Sequence, residues 1–377
     1  MIYKEHRNLK LSELGMGCMR LPVTAEDPDT VDLDAVKQMA AYAMEKGINY
    51  YDTAWGYHGG MSEIIMGEVL KEYPRDSFYL ADKFPGYDLS NMDKVKEIFE
   101  KQLEKCQVDY FDYYMFHNVC ELNVEAYLDP KYGILDYLLE QKRNGRIRHL
   151  GFSAHGACDT LRRFLDAYGE HMEFCQIQLN WMDWTMQNAR EKVTLLNEYH
   201  MPIWVMEPLR GGKLVMLEEK HAAKLKALHP DEPVSAWSFR FLQSIPGVTM
   251  VLSGMSSFDQ LQENIATFET EEPLNDEEKN VLFAISAEMT SKGTLPCTAC
   301  RYCTDHCPME LDIPGLIALY NDHTYTGGGL MVPMAVEAMP ENKRPSACIG
   351  CQSCEAVCPQ NIGISKMMTD FSEIVKL

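Results

Sequence analysis

The sequence lacks long hydrophobic runs and has no excess of basic side chains. No apolar run approaches the ~20 residues of a membrane span, and the charged start of the chain (Lys4, Glu5) contains no apolar signal-peptide core. Lys and Arg number 35 against 56 Asp and Glu, a formal net charge of −21. Such a chain repels phosphate backbones and anionic lipid surfaces. We therefore expect a soluble cytoplasmic protein with no nucleic-acid partner and no membrane association.

The thirteen cysteines are unevenly distributed. Eight lie between Cys297 and Cys358, and the other five are scattered through the rest of the 377 residues. A disulfide framework is typical of small secreted domains, whereas clustered thiols in a reducing compartment are typical of metal ligands. The distribution predicts a metal-binding segment at one end of the chain.

From residue 14 to about residue 290, short apolar runs alternate with amphipathic stretches of helical period. Eight such units favour an α/β fold of the (β/α)8 barrel type, with a doubly wound parallel sheet as the alternative. We predict a barrel domain at 1–291 and a separate cysteine-rich domain at 292–377. The predicted strands are 14–20, 48–53, 78–84, 111–117, 147–153, 174–180, 202–207 and 248–254. The predicted helices are 32–46, 62–72, 91–106 (with Asn91 as N-cap), 131–144, 158–168, 187–200, 232–244, 258–268 and 275–290.

The cysteine-rich domain contains one motif twice, C-x2-C-x2-C-x3-C-P. This is the spacing of two-cluster [4Fe–4S] ferredoxins, in which the fourth cysteine of each run binds the other cluster. One cluster is assigned to Cys297, Cys300, Cys303 and Cys358, and the other to Cys348, Cys351, Cys354 and Cys307. The alternative, structural zinc, fits the doubled motif poorly because zinc sites use four ligands in two pairs. The forty residues between the motifs favour a mainly helical ferredoxin-like module.

Four ionisable residues lie at or just after the ends of consecutive predicted strands: Asp52, Tyr57, Lys83 and His117. Active sites of (β/α)8 barrels are built at the carboxyl ends of the strands. A Lys83 ammonium held by Asp52 would lower the pKa of Tyr57, which could then exchange a proton with a carbonyl or alcohol oxygen. A neutral His117 could hydrogen-bond to the same oxygen. Each residue also has a structural alternative, since Asp52 could be a cap, Tyr57 a rim aromatic, and Lys83 and His117 a salt network.

Several segments resemble those of the aldo-keto reductases. They are GINYYDTAWGY (47–57), ADKF (81–84), YYMFHNV (113–119), GFSAHG (151–156), QIQLNWMD (176–183), WVMEPLRGGKL (204–214) and VLSGMSSFDQLQEN (251–264). The catalytic tetrad of that family falls on Asp52, Tyr57, Lys83 and His117. With its tail, the chain is similar to the branch of the family that carries a C-terminal iron–sulfur domain.

The resemblance implies an NAD(P)H site along the barrel mouth. Ser153 and Gln178 would contact the nicotinamide carboxamide, and Trp204 would lie near the ring. The pyrophosphate would run over Pro208, Leu209, Gly211 and Lys213, and the adenine side would meet Gly254, Ser256, Gln260, Glu263 and Asn264. No base occurs among the adenine-side residues, so NADH and NADPH both remain open. No flavin motif is visible, and a flavin stays unsupported.

Three functions are compatible with these features. The first is a carbonyl reductase or alcohol dehydrogenase whose clusters are structural or sense redox state. The second is an enzyme whose clusters exchange electrons between an external electron-transfer protein and a substrate or flavin at the barrel. The third is a non-catalytic barrel that senses nicotinamide, against which the intact tetrad argues. We favour the first and keep the second as the alternative.

Overall fold

The computed structural model describes residues 1–25, 27, 30–290, 293–295, 297, 303–358 and 360–375. The chain forms two compact units. The first comprises Met1–Trp181 and Ala189–Lys279, and the second comprises Met182–Asn188 and Asn280–Leu377.

Eight parallel strands of the first unit close into a barrel, in which each strand pairs with the next along the chain and the last pairs with the first. The fold class predicted from the alternation is therefore confirmed. These strands are β3 (Leu14–Gly17), β4 (Tyr50–Asp52), β5 (Tyr79–Phe84), β6 (Phe111–Val119), β7 (Ile147–Ala154), β8 (Cys175–Gln178), β9 (Ile203–Met206) and β10 (Val248–Ser253). Six of the eight are almost wholly buried runs, as strands covered on both faces must be.

An antiparallel hairpin precedes the barrel, formed by β1 (Tyr3–His6) and β2 (Leu9–Ser12). Its turn holds Arg7 and Asn8 at positive φ. Leu11 of β2 packs with Tyr50, Tyr113 and Trp204 in a buried cluster inside the barrel. Each of these strands has only four residues, so the alternation of apolar residues is too short to predict them from the sequence.

The barrel strands are connected mainly by helices. The helices are α1 (Leu33–Glu45), α2 (Ser62–Leu70), α3 (Val95–Cys106), α4 (Val124–Leu128), α5 (Ile134–Arg143), α6 (Cys158–Tyr168), α7 (Asp183–Met186), α8 (Ala189–Glu198), α9 (Glu219–Leu228), α10 (Val234–Gln243), α11 (Phe258–Thr267) and α12 (Asp276–Thr290). One boundary prediction is wrong: Asn91 does not cap α3. A 3-10 turn at Leu89–Lys94 precedes that helix, and the capping side chain is Asp88, which accepts a hydrogen bond from Ser90 N.

The regular elements among the described residues of the second unit are helices and short 3-10 turns. Its remaining helices are α13 (Ile313–Thr326), α14 (Met331–Glu337) and α15 (Ile364–Ile374). Their apolar faces meet in a small core that includes Leu316, Met368 and Phe371. Two cysteines, Cys303 and Cys354, belong to the same core. No helix of the described residues is long and apolar enough to cross a bilayer.

Candidate active site and candidate cluster site

Adjacent barrel strands bring the four predicted catalytic side chains together. Lys83 on β5 is fully buried, and its Nζ donates to Asp52 Oδ1 at 2.5 Å and to the Thr53 carbonyl at 2.7 Å. The same Nζ lies 3.5 Å from the Tyr57 hydroxyl. The rings of Tyr57 and His117 meet edge to face, with centroids 6.1 Å apart. One ammonium thus links the carboxylate of Asp52 to the phenol of Tyr57.

The Asp52–Lys83 pair is charged although it is enclosed. Burial by itself would lower the pKa of Lys83, but the charge and the hydrogen bond of Asp52 raise it above its ordinary value. Burial raises the pKa of Asp52, and Lys83 opposes that shift. A buried ion pair of this kind is tolerated when its partners hydrogen-bond each other well. Lys83 therefore remains an ammonium at neutral pH.

The pKa of Tyr57 is shifted in the opposite direction from the one that the sequence predicted. Burial raises the pKa of Tyr57 to about 12, and the Lys83 ammonium only reduces that rise. The desolvation of a phenolate was not readable from strand-end spacing alone. Tyr57 is accordingly a neutral phenol at pH 7, in the form that can give a proton.

His117 is neutral, as expected. Burial lowers the pKa of His117 well below its usual value, and Lys83 and His155 lower it further. Its Nδ1 is buried and has no hydrogen-bond partner within the described part of the chain. His155 is neutral as well, since burial and then Lys192 lower its pKa to about 4. Both imidazoles are therefore uncharged, and the His117 ring is the one that packs against Tyr57.

Two of the predicted nicotinamide contacts lie at strand ends. Ser153 on β7 is buried, and its Oγ accepts the Asn118 backbone N–H at 2.8 Å. Because that bond uses a lone pair, the Ser153 hydroxyl proton is left for another acceptor. Gln178 is the last residue of β8. Both positions fit a carboxamide bound at the carboxyl ends of the strands.

The position of Trp204 requires a correction. Trp204 is fully buried in the barrel core, 4.7 Å from Phe174 and 5.0 Å from His6 of the N-terminal hairpin between ring centroids. It therefore packs against the closed end of the barrel and not near a nicotinamide at the mouth. Alternation along β9 puts Met206, two residues later and partly exposed, on the same face at the strand end. Met206 was missed because the motif was read without this register.

The predicted phosphate and adenine residues lie on two loops. Leu209, Gly211 and Lys213 are partly or fully exposed, whereas Pro208 is buried. In the second loop Gly254, Ser256 and Gln260 are exposed, and Ser257 caps α11. Two further residues are already engaged within the protein: Glu263 accepts the Ser235 hydroxyl at 2.5 Å, and Asn264 is buried and donates to Ser253 at 3.1 Å.

Arg20 connects these two loops and was missed by the sequence reasoning. Its carbonyl accepts the Ser256 hydroxyl at 2.8 Å. A Cβ at Gly254 would lie 3.1 Å from the Arg20 side chain, and a Cβ at Gly211 would lie 3.0 Å from its guanidinium. The guanidinium is 3.4 Å from Glu207. Arg20 is thus a base beside this loop, and no local signal in 251–264 points to it because it precedes that loop by more than two hundred residues.

The structure describes most of the cysteines of the two motifs. Four thiols line one cavity: Cys307, Cys348, Cys351 and Cys354. They are the set predicted for one cluster, with the fourth ligand drawn from the other motif. Of the other set, Cys297, Cys303 and Cys358 belong to the core of the second unit or pack on it, and Cys300 lies outside the described residues.

The cavity is chemically suited to a cluster. The Leu311 N–H donates to Cys307 Sγ at 3.5 Å, a contact of the kind that tunes iron–sulfur centres. No three thiol, imidazole or carboxylate groups of the described residues are disposed to hold a single metal ion. The four thiols are the set that the doubled motif assigns to one [4Fe–4S] cluster.

Comparisons with known proteins agree with this organisation. Residues 13–286 match the Aldo/keto reductase family, and residues 296–362 match a 4Fe-4S dicluster domain. A probable aldo-keto reductase 1 from Glycine max is 30% identical over 236 residues, which cover 59% of this chain and 64% of the soybean protein. The NADH-specific methylglyoxal reductase of Escherichia coli is 25% identical over 309 residues, covering 69% of this chain and 90% of that protein. The solved holo form of aldo-keto reductase AKR11C1 from Bacillus halodurans superposes with a TM-score of 0.60 at 25% identity, over 76% of this chain and 96% of that one.

Proposed function

Because the chain belongs to the aldo/keto reductase family and is an oxidoreductase with a 4Fe–4S dicluster domain, we propose that it interconverts a carbonyl compound and an alcohol with NAD(P)H. The observation that carries the proposal is the placement of Lys83 Nζ, 2.5 Å from Asp52 and 3.5 Å from the Tyr57 hydroxyl. In this proposal Asp52, Tyr57, Lys83 and His117 are the catalytic residues. The barrel domain is 1–291 and the cluster domain 292–377, a boundary that lies between the two family matches.

Tyr57 is the proton donor in the reducing direction. As the carbonyl carbon receives a hydride and its oxygen becomes negative, the Tyr57 O–H transfers its proton to that oxygen. The resulting phenolate is stabilised by the Lys83 ammonium, whose own charge Asp52 maintains. His117, being neutral, donates a hydrogen bond that fixes the carbonyl oxygen beside Tyr57. The reverse reaction uses the same groups with Tyr57 as the base.

The cofactor, when bound, supplies the hydride. Ser153 and Gln178 would hold its carboxamide, and Met206 would contact the nicotinamide ring. The loop 208–213, with Gly211 and Lys213, and the exposed Gly254, Ser256 and Gln260 would hold the phosphate and adenosine parts, with Arg20 between them. NADH is supported by the absence of a base from 251–264 and by the specificity in the name of the Escherichia coli relative. NADPH is supported by the Arg20 guanidinium beside Gly211.

The test is reduction of methylglyoxal, the substrate in the name of that relative, by anaerobically purified protein with NADH and with NADPH. We expect Tyr57→Phe to lower kcat by about 10² to 10⁴, the usual range for a positioned acid. Binding of the cofactor, measured by fluorescence, should not change. Tyr3→Phe is the matched control, since Tyr3 is exposed on the N-terminal hairpin. Full activity in Tyr57→Phe would refute the assignment of the proton donor.

We propose that the dicluster domain holds two [4Fe–4S] clusters with the eight ligands assigned above. Clusters supply one-electron chemistry when present. In the main proposal they stabilise the second unit or sense redox state. The alternative, exchange of electrons with a partner protein, is supported by Cys351, which is exposed at the mouth of the thiol cavity. A cluster with four thiolates is an anion, so such a partner would present a basic face.

Replacing Cys351 and Cys354 with Ser separates the two proposals. If the folded variant has lost one cluster by iron content and absorbance but still reduces methylglyoxal with NAD(P)H, electron transfer through that cluster is unnecessary. If reduced ferredoxin supports turnover by the wild type without nicotinamide, the main proposal is refuted and the alternative holds. Purified protein titrated with NADH, NADPH and dithionite also reports any flavin directly in the same spectra.

A further inference from the structure

A buried polar cluster lies outside the barrel wall, on the opposite side of β5 from the active site. It consists of Glu63 on α2, Asp82 on β5, and Gln102 and Lys105 on α3. Glu63, Asp82 and Gln102 are fully buried. Asp82 precedes Lys83, and successive side chains of a strand point to opposite faces. While Lys83 points into the barrel, Asp82 therefore points toward the helices.

The cluster holds the Lys83 backbone from both sides. The Lys83 N–H donates to Asp82 Oδ1 at 2.7 Å, and Gln102 Nε2 donates to the Lys83 carbonyl at 2.9 Å. The same Nε2 lies 2.9 Å from Asp82 Oδ1 and 3.0 Å from Glu63 Oε1, so its two hydrogens are shared among three acceptors. The Tyr114 hydroxyl fixes the Gln102 amide by donating to its oxygen at 2.5 Å.

The other end of the cluster holds the turn that begins with Tyr57. Lys105 Nζ donates to Glu63 Oε2 at 2.5 Å and to the Gly60 carbonyl at 3.2 Å. It also lies 4.2 Å from the centroid of the Trp55 ring, two residues before Tyr57. The turn Tyr57–Gly60 contains left-handed residues and has no side-chain cap, so its own contacts fix it weakly. Lys105 is the cation that attaches it to the barrel wall.

The charges of the cluster balance if Asp82 carries a proton. Burial, and next the neighbouring Glu63, raise the pKa of Asp82 well above its usual value. The groups that face Asp82 are Glu63, Lys83, Gln102 and the Cys106 thiol, whose Sγ is 3.8 Å from Oδ2. A neutral Asp82 leaves one carboxylate, Glu63, opposite one ammonium, Lys105. Such a pair satisfies the requirement that buried charges be matched.

We infer that Asp82, Glu63, Gln102 and Lys105 form a positioning unit that holds the Tyr57 turn against Lys83 and so sets the distance between the phenol and the ammonium. None of the four is one of the proposed catalytic residues. They act through the backbone of Lys83 and through Gly60 and Trp55. This inference rests on the proposed function, because it assigns the unit a role only through Tyr57 and Lys83.

The test compares Lys105→Met with Lys101→Met in the full-length, cluster-loaded protein. Lys101 is on the same helix but pairs with Glu104 at the surface, so it is the matched control. Lys105→Met releases the Tyr57 turn, and a misplacement of about 1 Å costs on the order of 10²-fold in rate. We expect kcat to fall by about 10- to 100-fold, with the cofactor dissociation constant and the circular dichroism spectrum unchanged. A general loss of structure would move all three.

Glu63→Gln and the double variant Glu63→Gln/Lys105→Met provide the second measurement. Both single changes break the same connection, so the double variant should lose no more kcat than the worse single variant. Losses that multiply, or a Lys105→Met enzyme as active as Lys101→Met, would overturn the inference. Asp82→Asn should keep near wild-type kcat because an amide reproduces the donor and acceptor of a neutral carboxyl. Loss of kcat in Asp82→Asn equal to that in Lys105→Met would overturn the protonation assignment and with it the unit as described.

The Tyr57→Phe enzyme distinguishes this failure from failure of the proposed function. If Tyr57→Phe retains activity, the acid assignment is wrong and the positioning unit has nothing to position. If Tyr57→Phe is inactive while Lys105→Met and Glu63→Gln behave as wild type, the acid assignment stands and only the inference is refuted.

Discussion

Replacing Lys83 with Met tests the central contact of the site through stability as well as rate. The side chain is fully buried, and its ammonium is the donor to Asp52 Oδ1 at 2.5 Å. Oδ2 of Asp52 is buried without a partner among the described residues. The Met variant would therefore enclose a carboxylate that has lost the ammonium paired with it. Removing one member of a buried pair in this way costs about 3–5 kcal/mol.

The double variant Asp52→Asn/Lys83→Met separates the uncompensated charge from the loss of packing. It removes both charges and keeps side chains of similar volume. Since replacing a whole buried pair is often nearly neutral, we expect it to be about 1–3 kcal/mol more stable than Lys83→Met alone. Both variants lack the ammonium that stabilises the Tyr57 phenolate. Both should therefore have a kcat about 10² to 10⁴ below wild type.

Urea unfolding at constant pH measures the stability differences. The transition should be followed by tryptophan fluorescence and by circular dichroism, since a chain with two compact units can unfold in more than one step. Four of the five tryptophans lie in the first unit, so fluorescence reports mainly on the barrel. The reasoning is refuted if the double variant is no more stable than Lys83→Met. It is refuted equally if either variant keeps the wild-type rate.

Three further predictions concern separate parts of the molecule. Arg20→Gln should weaken NADPH binding by about 1–2 kcal/mol, in the range of a charged hydrogen bond, with kcat unchanged. Equal NADPH dissociation constants for Arg20→Gln and wild type would count against a contact between Arg20 and a phosphate of the cofactor. Burial raises the pKa of Glu13 from 4.5 to about 7, so the protonated form of Glu13 favours folding. Its contribution to the free energy of unfolding is complete below pH 4.5 and is lost as the pH rises through 7. The wild type should therefore lose roughly 3 kcal/mol between pH 4.5 and pH 8, and Glu13→Gln should remove that part of the loss in urea titrations. Cys307→Ser should remove one of the two clusters, so iron content should fall by about half; an unchanged iron content would contradict the assignment of Cys307 as a ligand.

The barrel was predictable because its signal is repeated. Most of the strands are short buried runs and each is followed by a helical stretch, so errors of one to three residues at the strand ends did not alter the number of units. The N-terminal hairpin has no such repetition, and its strands of four residues resemble an irregular start. The α3 boundary failed because both Asp88 and Asn91 are good caps, and the choice between them depends on a 3-10 turn fixed by packing.

The site was predictable in position but not in electrostatics. Strand ends meet at one face of a barrel whatever the helices do, so Asp52, Lys83 and His117 had to be neighbours. The pKa of Tyr57 depends on how deeply the folded chain buries the phenol, and burial outweighs the Lys83 charge. The Arg20 contact with the loops at Gly211 and Gly254 is equally a product of tertiary structure. Linear spacing carries no information about either.

Two residues of strand β9 allow a test of whether tertiary position, and not the sequence motif, decides which side chain contacts the cofactor. Trp204 and Met206 are two residues apart on one face of the strand, but Trp204 packs on the residues that close the barrel and Met206 is the partly exposed strand end. Trp204→Phe should destabilise the barrel, because it leaves a cavity in a fully buried cluster, and should leave the cofactor dissociation constant unchanged. Met206→Tyr should bind NAD(P)H more tightly, because an aromatic ring can stack on the nicotinamide. The opposite pattern, with cofactor binding altered by Trp204→Phe and not by Met206→Tyr, would mean that the nicotinamide binds deeper in the barrel than the strand ends.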